Sequence, residues 1–131
     1  MKQVVAALIV RKDRLLICQR TERQPMPLKW EFPGGKIEDG EQPHEALRRE
    51  LQEELGIEAT IGDEVACVHH QYAGGSALEL RFFLVREWQG NIENRIFRSL
   101  RWARRAALPR YDFLEADLRL VQDIAKGKLI G

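Results

Sequence analysis

The sequence predicts a mixed β-sheet packed between two helices, an α+β or α/β sandwich. Three observations predict it. The periodicities run strands, helix, strands, helix; residues 4–10 form an unbroken apolar run; and residues 43–55 and 113–125 switch to helical spacing. A chain of 131 residues, 44% hydrophobic and 31% charged, suits one domain over residues 1–131. A net charge of +1 provides no field that would favour a nucleic acid polymer or an anionic membrane. No apolar run is long enough to span a bilayer. The apolar N-terminal segment lacks a small-residue cleavage pattern, so it reads as a first strand and not as a signal peptide.

Residues 4–10 are rich in β-branched side chains and read as a buried strand. Residues 11–14 are polar and turn-like, and residues 15–19 read as the second strand of a hairpin. Residues 21–28 carry two prolines and read as an exposed loop. Trp30-Glu31-Phe32 is a short extended piece, because Pro33 keeps Phe32 out of the helical region. Pro43 suits the first turn of a helix and Gly56 the position just past its end. Between them Ala46, Leu47, Leu51 and Leu55 form a core stripe. Strands resume at residues 58–61, 65–71 and 77–87. In the last of these Leu78, Leu80, Phe82 and Leu84 alternate with a second face that becomes apolar partway along. Residues 89–98 read as a polar loop and residues 99–103 as a short strand around Trp102. Residues 113–125 read as a helix with Leu114, Leu118, Val121 and Ile124 on one side. Cys18 and Cys67 each sit in an apolar stretch and read as buried free thiols, which points to the cytoplasm.

The chemistry concentrates between Gly35 and Ile57. Glu50, Glu53 and Glu54 stand at i, i+3 and i+4 of the predicted helix and share a face. Like charges at that spacing repel unless a cation offsets them, and Mg²⁺ and Mn²⁺ prefer carboxylate oxygens. Arg49, four residues before Glu53, is placed to orient it. Spacing alone favours a solvated acidic face with Arg48 and Arg49 as ion-pair partners. The complete string reverses that preference. Gly35, five residues, Glu41, seven residues, Arg49-Glu50-Leu51, one residue, Glu53-Glu54, one residue, Gly56-Ile57 reproduces the Nudix box at every defined position.

The chain therefore resembles the Nudix hydrolases. The flank Trp30-Glu31-Phe32-Pro33-Gly34-Gly35-Lys36 is similar to the MutT-type branch, which includes 8-oxo-dGTP diphosphatases and CTP pyrophosphohydrolases. The resemblance implies an α/β/α sandwich of α+β class and Mg²⁺-dependent attack of water on a nucleoside triphosphate, giving monophosphate and pyrophosphate, with Mn²⁺ as a substitute metal. It implies that Glu50, Glu53 and Glu54 hold the metal, with the Gly34 carbonyl as a further ligand, and that Glu53, Glu50 and Arg49 carry the catalysis. Substrate contacts would come from Arg20, Glu31, Phe32, Gly35, Lys36 and Asp117, with Arg20 on phosphate or sugar, Phe32 at the base and Asp117 reading its edge. The implied role is nucleotide-pool sanitising. The resemblance leaves the oligomeric state open.

One position departs from the branch. Its members often place another glutamate in the loop before the strand of Trp102, and here that position is Ile96, with Glu93 the nearest carboxylate. Either Glu93 or a helix glutamate such as Glu53 would then be the general base. Trp30, Trp88 and Trp102 read as core or interface residues, Trp30 being the best placed for a base contact. His69 and His70 match no metal-ligand spacing and should point to opposite faces of a strand. Arg95, Arg98, Arg101, Arg104, Arg105 and Arg110 read as solvated surface. Two other readings compete: a nucleotide-sugar or dinucleoside-polyphosphate hydrolase, and a non-catalytic nucleotide-binding module. The complete set of box carboxylates argues against the second.

Overall fold

The computed structural model describes residues 1–131. Strand β1 (Lys2–Arg11) is the spine of a seven-stranded mixed sheet. It pairs in parallel with β7 (Ala77–Val85), which pairs antiparallel with β6 (Glu64–Gln71) at one edge. On its other side β1 pairs with β4 (Gly34–Lys36) along residues 4–6 and with β2 (Arg14–Gln19) only beside the turn. Beyond that turn β2 leaves β1 and pairs with β9 (Ser99–Arg104) and with β3 (Trp30–Glu31). The chain crosses the resulting cleft between β3 and β4, where the Ala7 N–H donates to the Pro33 carbonyl at 2.8 Å.

β1 is apolar from Val4 to Val10 because both of its faces are covered there. Ala6, Leu8 and Val10 pack into one core with Leu120, Val121 and Ile124 of α2 (Leu118–Ala125). Val5, Ala7 and Ile9 pack into the other with Ala46, Leu47, Leu51 and Leu55 of α1 (Pro43–Leu55). The fold is thus the expected α+β arrangement, a mixed sheet between helices. Helix α1 begins and ends where its residues demand. Glu45 accepts the Gln42 N–H at 2.8 Å, Pro43 occupies the first turn, and Gly56 takes a left-handed φ of 69° with its N–H on the Gln52 carbonyl.

Several boundaries differ from the sequence reading. The strand expected over residues 77–87 ends at Val85, and Glu87–Gln89 forms β8, paired with β5 (Glu58–Thr60) in a separate two-stranded sheet. The helix expected over residues 113–125 is α2 alone, preceded by a 3₁₀ turn, Glu115–Asp117. Phe113 instead bridges to Trp30. That break rotates the apolar stripe, so Leu118 is exposed and Leu120 takes the core position. A 3₁₀ helix, Arg105–Arg110, joins β9 to the last segment. Cys18 is buried as expected, but Cys67 is exposed, because it lies on the edge strand β6. No helix is long and apolar enough to cross a membrane.

Candidate active site

The buried stripe of α1 anchors it so firmly that the opposite side must present Arg49, Glu50, Glu53 and Glu54. Arg49 is the hub of that side. Its guanidinium donates to both Glu41 oxygens at 2.8 and 2.9 Å, to Glu50 at 3.0 Å and to the Lys36 carbonyl at 3.1 Å, and lies 3.5 Å from Glu53. It hydrogen-bonds Glu50, whereas the more exposed Glu53 lies only within ion-pair distance. Its hydrogen bonds lower the Glu41 carboxyl to about 2, with help from the Glu38 N–H. Glu41 therefore stays ionised and holds Arg49 in place.

The two glycines before α1 let the backbone meet these carboxylates. A Cβ on Gly34 would fall 2.0 Å from the Val5 carbonyl oxygen, and one on Gly35 would fall 2.4 Å from the carboxyl carbon of Glu50. Only glycine at 34 admits the β1 backbone, and a side chain at 35 would have to displace the Glu50 carboxylate. The Gly34 N–H donates to Glu54 at 3.2 Å.

A cavity of about 340 Å³ opens in the cleft between the diverging strands. Nine of the predicted site residues line it: Arg20, Glu31, Phe32, Gly34, Gly35 and Lys36 from the cleft strands, Glu50 and Glu54 from α1, and Asp117 from the turn before α2. Arg49 and Glu53 do not. Arg49 lies behind Glu50, and the Glu53 side chain is 59% exposed. Sequence reasoning missed Tyr72, Leu80, Phe97 and Leu114, apolar or aromatic walls drawn from four separate segments. Leu80 carried a signal in its strand alternation and Leu114 in its helical spacing; Tyr72 and Phe97 carried none. Phe32 stacks on Phe113 with ring centroids 5.3 Å apart and meets Phe82 edge-on. Trp30 is buried against Tyr111 and, like Trp88 and Trp102, is absent from the wall. None of the six arginines from Arg95 to Arg110 reaches it either.

The cavity concentrates carboxyl groups. Burial pushes Glu54 up to about 9, and the neighbouring Glu50 adds to the rise. Glu50 is raised by burial against the pull of Arg49. Glu31 is raised by burial although Arg20 donates to both its oxygens, at 3.1 and 3.2 Å. Asp117, 2% exposed, is pushed up to about 8 by burial and then by Glu31. Burial thus favours the protonated form of this acid in the free protein. Arg20 and Lys36 supply positive charge at the wall, but Arg20 is engaged with Glu31. A site with buried, crowded carboxyls on a rigid helix fits a divalent cation bound through oxygen, which would favour the ionised forms of Glu50 and Glu54.

Ile96 stands in the wall, whereas Glu93 is an exposed partner of Arg95 at 3.2 Å and does not line the cavity. Glu93→Gln is accordingly expected to change kcat/KM by less than about twofold. A loss of a hundredfold or more in steady-state turnover would make Glu93 the general base after all.

Residues 1–124 match the family described as NUDIX domain. The chain is 37% identical over 122 residues to the CTP pyrophosphohydrolase of Escherichia coli (strain K12), covering 93% of this chain and 90% of that protein. It is 35% identical over 119 residues to the 8-oxo-dGTP diphosphatase of Haemophilus influenzae, covering 89% and 87%. The solution structure of the E. coli ORF135 protein superposes with a TM-score of 0.83 at 36% identity, covering 93% of this chain and 86% of that one.

Proposed function

The chain belongs to the NUDIX family, and on that premise we propose that it hydrolyses a nucleoside triphosphate to the monophosphate and pyrophosphate with the aid of Mg²⁺. The observation that carries this reading is the pairing of half-buried Glu50, braced by Arg49, and buried Glu54, held by the Gly34 N–H, with Phe32 and Asp117 in the walls of one cavity. Oxygen donors for a hard cation and a base-sized aromatic pocket are then within one substrate's reach.

Glu50, Glu53 and Glu54, with the Gly34 carbonyl, would hold Mg²⁺, and Mn²⁺ could replace it. A cation held there would supply charge compensation for the triphosphate and make the attacking water easier to deprotonate. The chain's own residues do the rest. Arg49 fixes Glu50 and Glu53 so that neither must be reoriented during turnover. Glu53, the most solvent-open of the three, is our choice for the general base that takes the proton of the attacking water. Lys36 and Arg20 place positive charge against the phosphates. Arg20 does so by sharing its guanidinium with Glu31, which keeps that carboxylate from repelling the substrate. Phe32, immobilised between Phe113 and Phe82, offers a rigid apolar wall to the base, and Asp117 hydrogen-bonds its edge. Relatives described as CTP pyrophosphohydrolase and 8-oxo-dGTP diphosphatase support cytosine-type and oxidised-guanine triphosphates as substrates, and hence a role in sanitising the nucleotide pool.

The bond that breaks lies between the α- and β-phosphates. Turnover of a triphosphate in ¹⁸O-water should yield monophosphate and pyrophosphate, one of them carrying the label, and only when Mg²⁺ is present. Orthophosphate as the first product would overturn this assignment. Higher kcat/KM on a nucleotide sugar or dinucleoside polyphosphate than on any triphosphate would move the substrate class.

A further inference from the structure

We propose that Cys67, His69 and Glu79 form a second cation site, selective for zinc-type ions, on the face of the β6–β7 pair turned away from Leu78 and Leu80. Cys67 and His69 stand two residues apart on edge strand β6, so they share a face. On β7 Glu79 is the direct cross-strand partner of His69. Leu78 and Leu80, its neighbours along the strand, point the other way, into the cavity. The pleat thus turns Glu79 away from the Leu78 and Leu80 side of the cavity, towards the face that α1 covers further along the sheet.

The three donor atoms lie within 4.8 Å of one another, and His69 Nε2 is already 3.1 Å from Glu79 Oε2. A tetrahedral zinc ion bound by one sulfur, one nitrogen and one oxygen needs donors about 3.3–3.6 Å apart. Small side-chain rotations close that gap without moving either strand. Gln3, across from Glu79 on β1, approaches the other carboxylate oxygen at 3.5 Å, so that Oε2 is engaged only by His69, the neighbouring donor. Arg81, the cross-strand partner of Cys67, would repel a cation, but it is ion-paired with Glu64. Sequence spacing could not show this site, because the third donor comes from the neighbouring strand.

The donor set decides the ion. A thiolate and an imidazole discriminate against Mg²⁺, which takes oxygen ligands, and favour zinc and its neighbours in the first transition row. Three protein donors leave a fourth position for water. Binding converts the Cys67 thiol to thiolate and releases its proton to solvent. The ion would tie β6 to β7 at an edge of the sheet, next to the hairpin that carries Tyr72.

The test uses the full chain with Mg²⁺ in excess, so that the carboxylate site is occupied. Co²⁺ serves as a spectroscopic stand-in and Zn²⁺ as its competitor. One equivalent of Co²⁺ should produce a thiolate-to-cobalt charge-transfer band that Zn²⁺ abolishes. Cys67→Ser should lose the band, and His69→Ala and Glu79→Gln should each weaken Co²⁺ binding at least tenfold. The buried Cys18 remains in all three variants and serves as the internal control. One equivalent of Zn²⁺, but not Mg²⁺, should slow modification of Cys67 by a thiol reagent at least tenfold. Mg²⁺-dependent turnover of Cys67→Ser should stay within about twofold of the parent. Absence of the band, its survival in Cys67→Ser, or a modification rate indifferent to Zn²⁺ would overturn the proposal. None of these outcomes touches the hydrolase assignment.

Discussion

Glu54→Gln is expected to lower kcat/KM at least a thousandfold, about 4 kcal/mol of transition-state stabilisation, while making the metal-free protein more stable. The two effects share one cause. Glu54 is 9% exposed, faces Glu50 and is raised from an ordinary 4.5 to about 9. The folded protein therefore holds a proton that the unfolded chain releases above about pH 4.5. Stability falls as pH rises from there towards 9, and at pH 7 the loss is on the order of 1–3 kcal/mol. A glutamine has no charge to desolvate and its amide oxygen still accepts the Gly34 N–H. With the cation chelated, Glu54→Gln should raise Tm by several degrees near pH 7–8 and flatten its fall with pH. The parent should gain more Tm from Mg²⁺ at pH 9 than at pH 6, and the variant should gain little at either. Near-normal turnover of the variant, or a drop in its metal-free Tm, would remove Glu54 from the metal site. Glu53→Gln should also lose most activity, but with little change in Tm, because its side chain is 59% exposed.

That asymmetry between two adjacent glutamates shows what the sequence could not supply. Helix α1 was legible from Pro43 to Gly56 because its start, stripe and stop are all local chemistry. The double-faced burial of β1 was legible from its unbroken apolar run, and the carboxylate cluster from its spacing. How deeply each carboxylate sits depends on β4 passing beside α1, a contact set by the sheet. The same applies to the cavity wall. Tyr72, Phe97 and Leu114 come from segments with no shared pattern, and they meet only because β2 diverges from β1. Cys67 looked buried because its neighbours are apolar, yet an edge strand leaves one face open. The last helix was misread for a related reason. Residues 113–125 carry helical spacing, but Leu114 and Asp117 are drawn inward as a 3₁₀ turn before the α-helix begins. This turn places Asp117 in the cavity wall.

Asp117→Ala is expected to lower kcat/KM on the best substrate at least tenfold, about 1.4 kcal/mol, and to flatten the preference among bases. A uniform loss across all bases would instead assign Asp117 to structure. The protonation state sharpens the expectation. With its carboxyl at about 8, Asp117 offers one donor and one acceptor at neutral pH, and acceptors alone once ionised. A cytosine edge presents the N4 amino donor beside the N3 acceptor, which suits the neutral acid. A guanine-type edge presents N1–H and N2 donors together, which suits the carboxylate. Raising the pH through 8 should therefore increase kcat/KM for 8-oxo-dGTP relative to dCTP. Taking the ratio cancels the titration of Glu54 and every other group common to both reactions. Asp117→Asn, with one amide donor and one acceptor at every pH, should keep the cytosine-type activity and lose the pH dependence of the ratio. A parent ratio that stays flat from pH 6.5 to 9.5 would show that Asp117 does not choose the base by its proton.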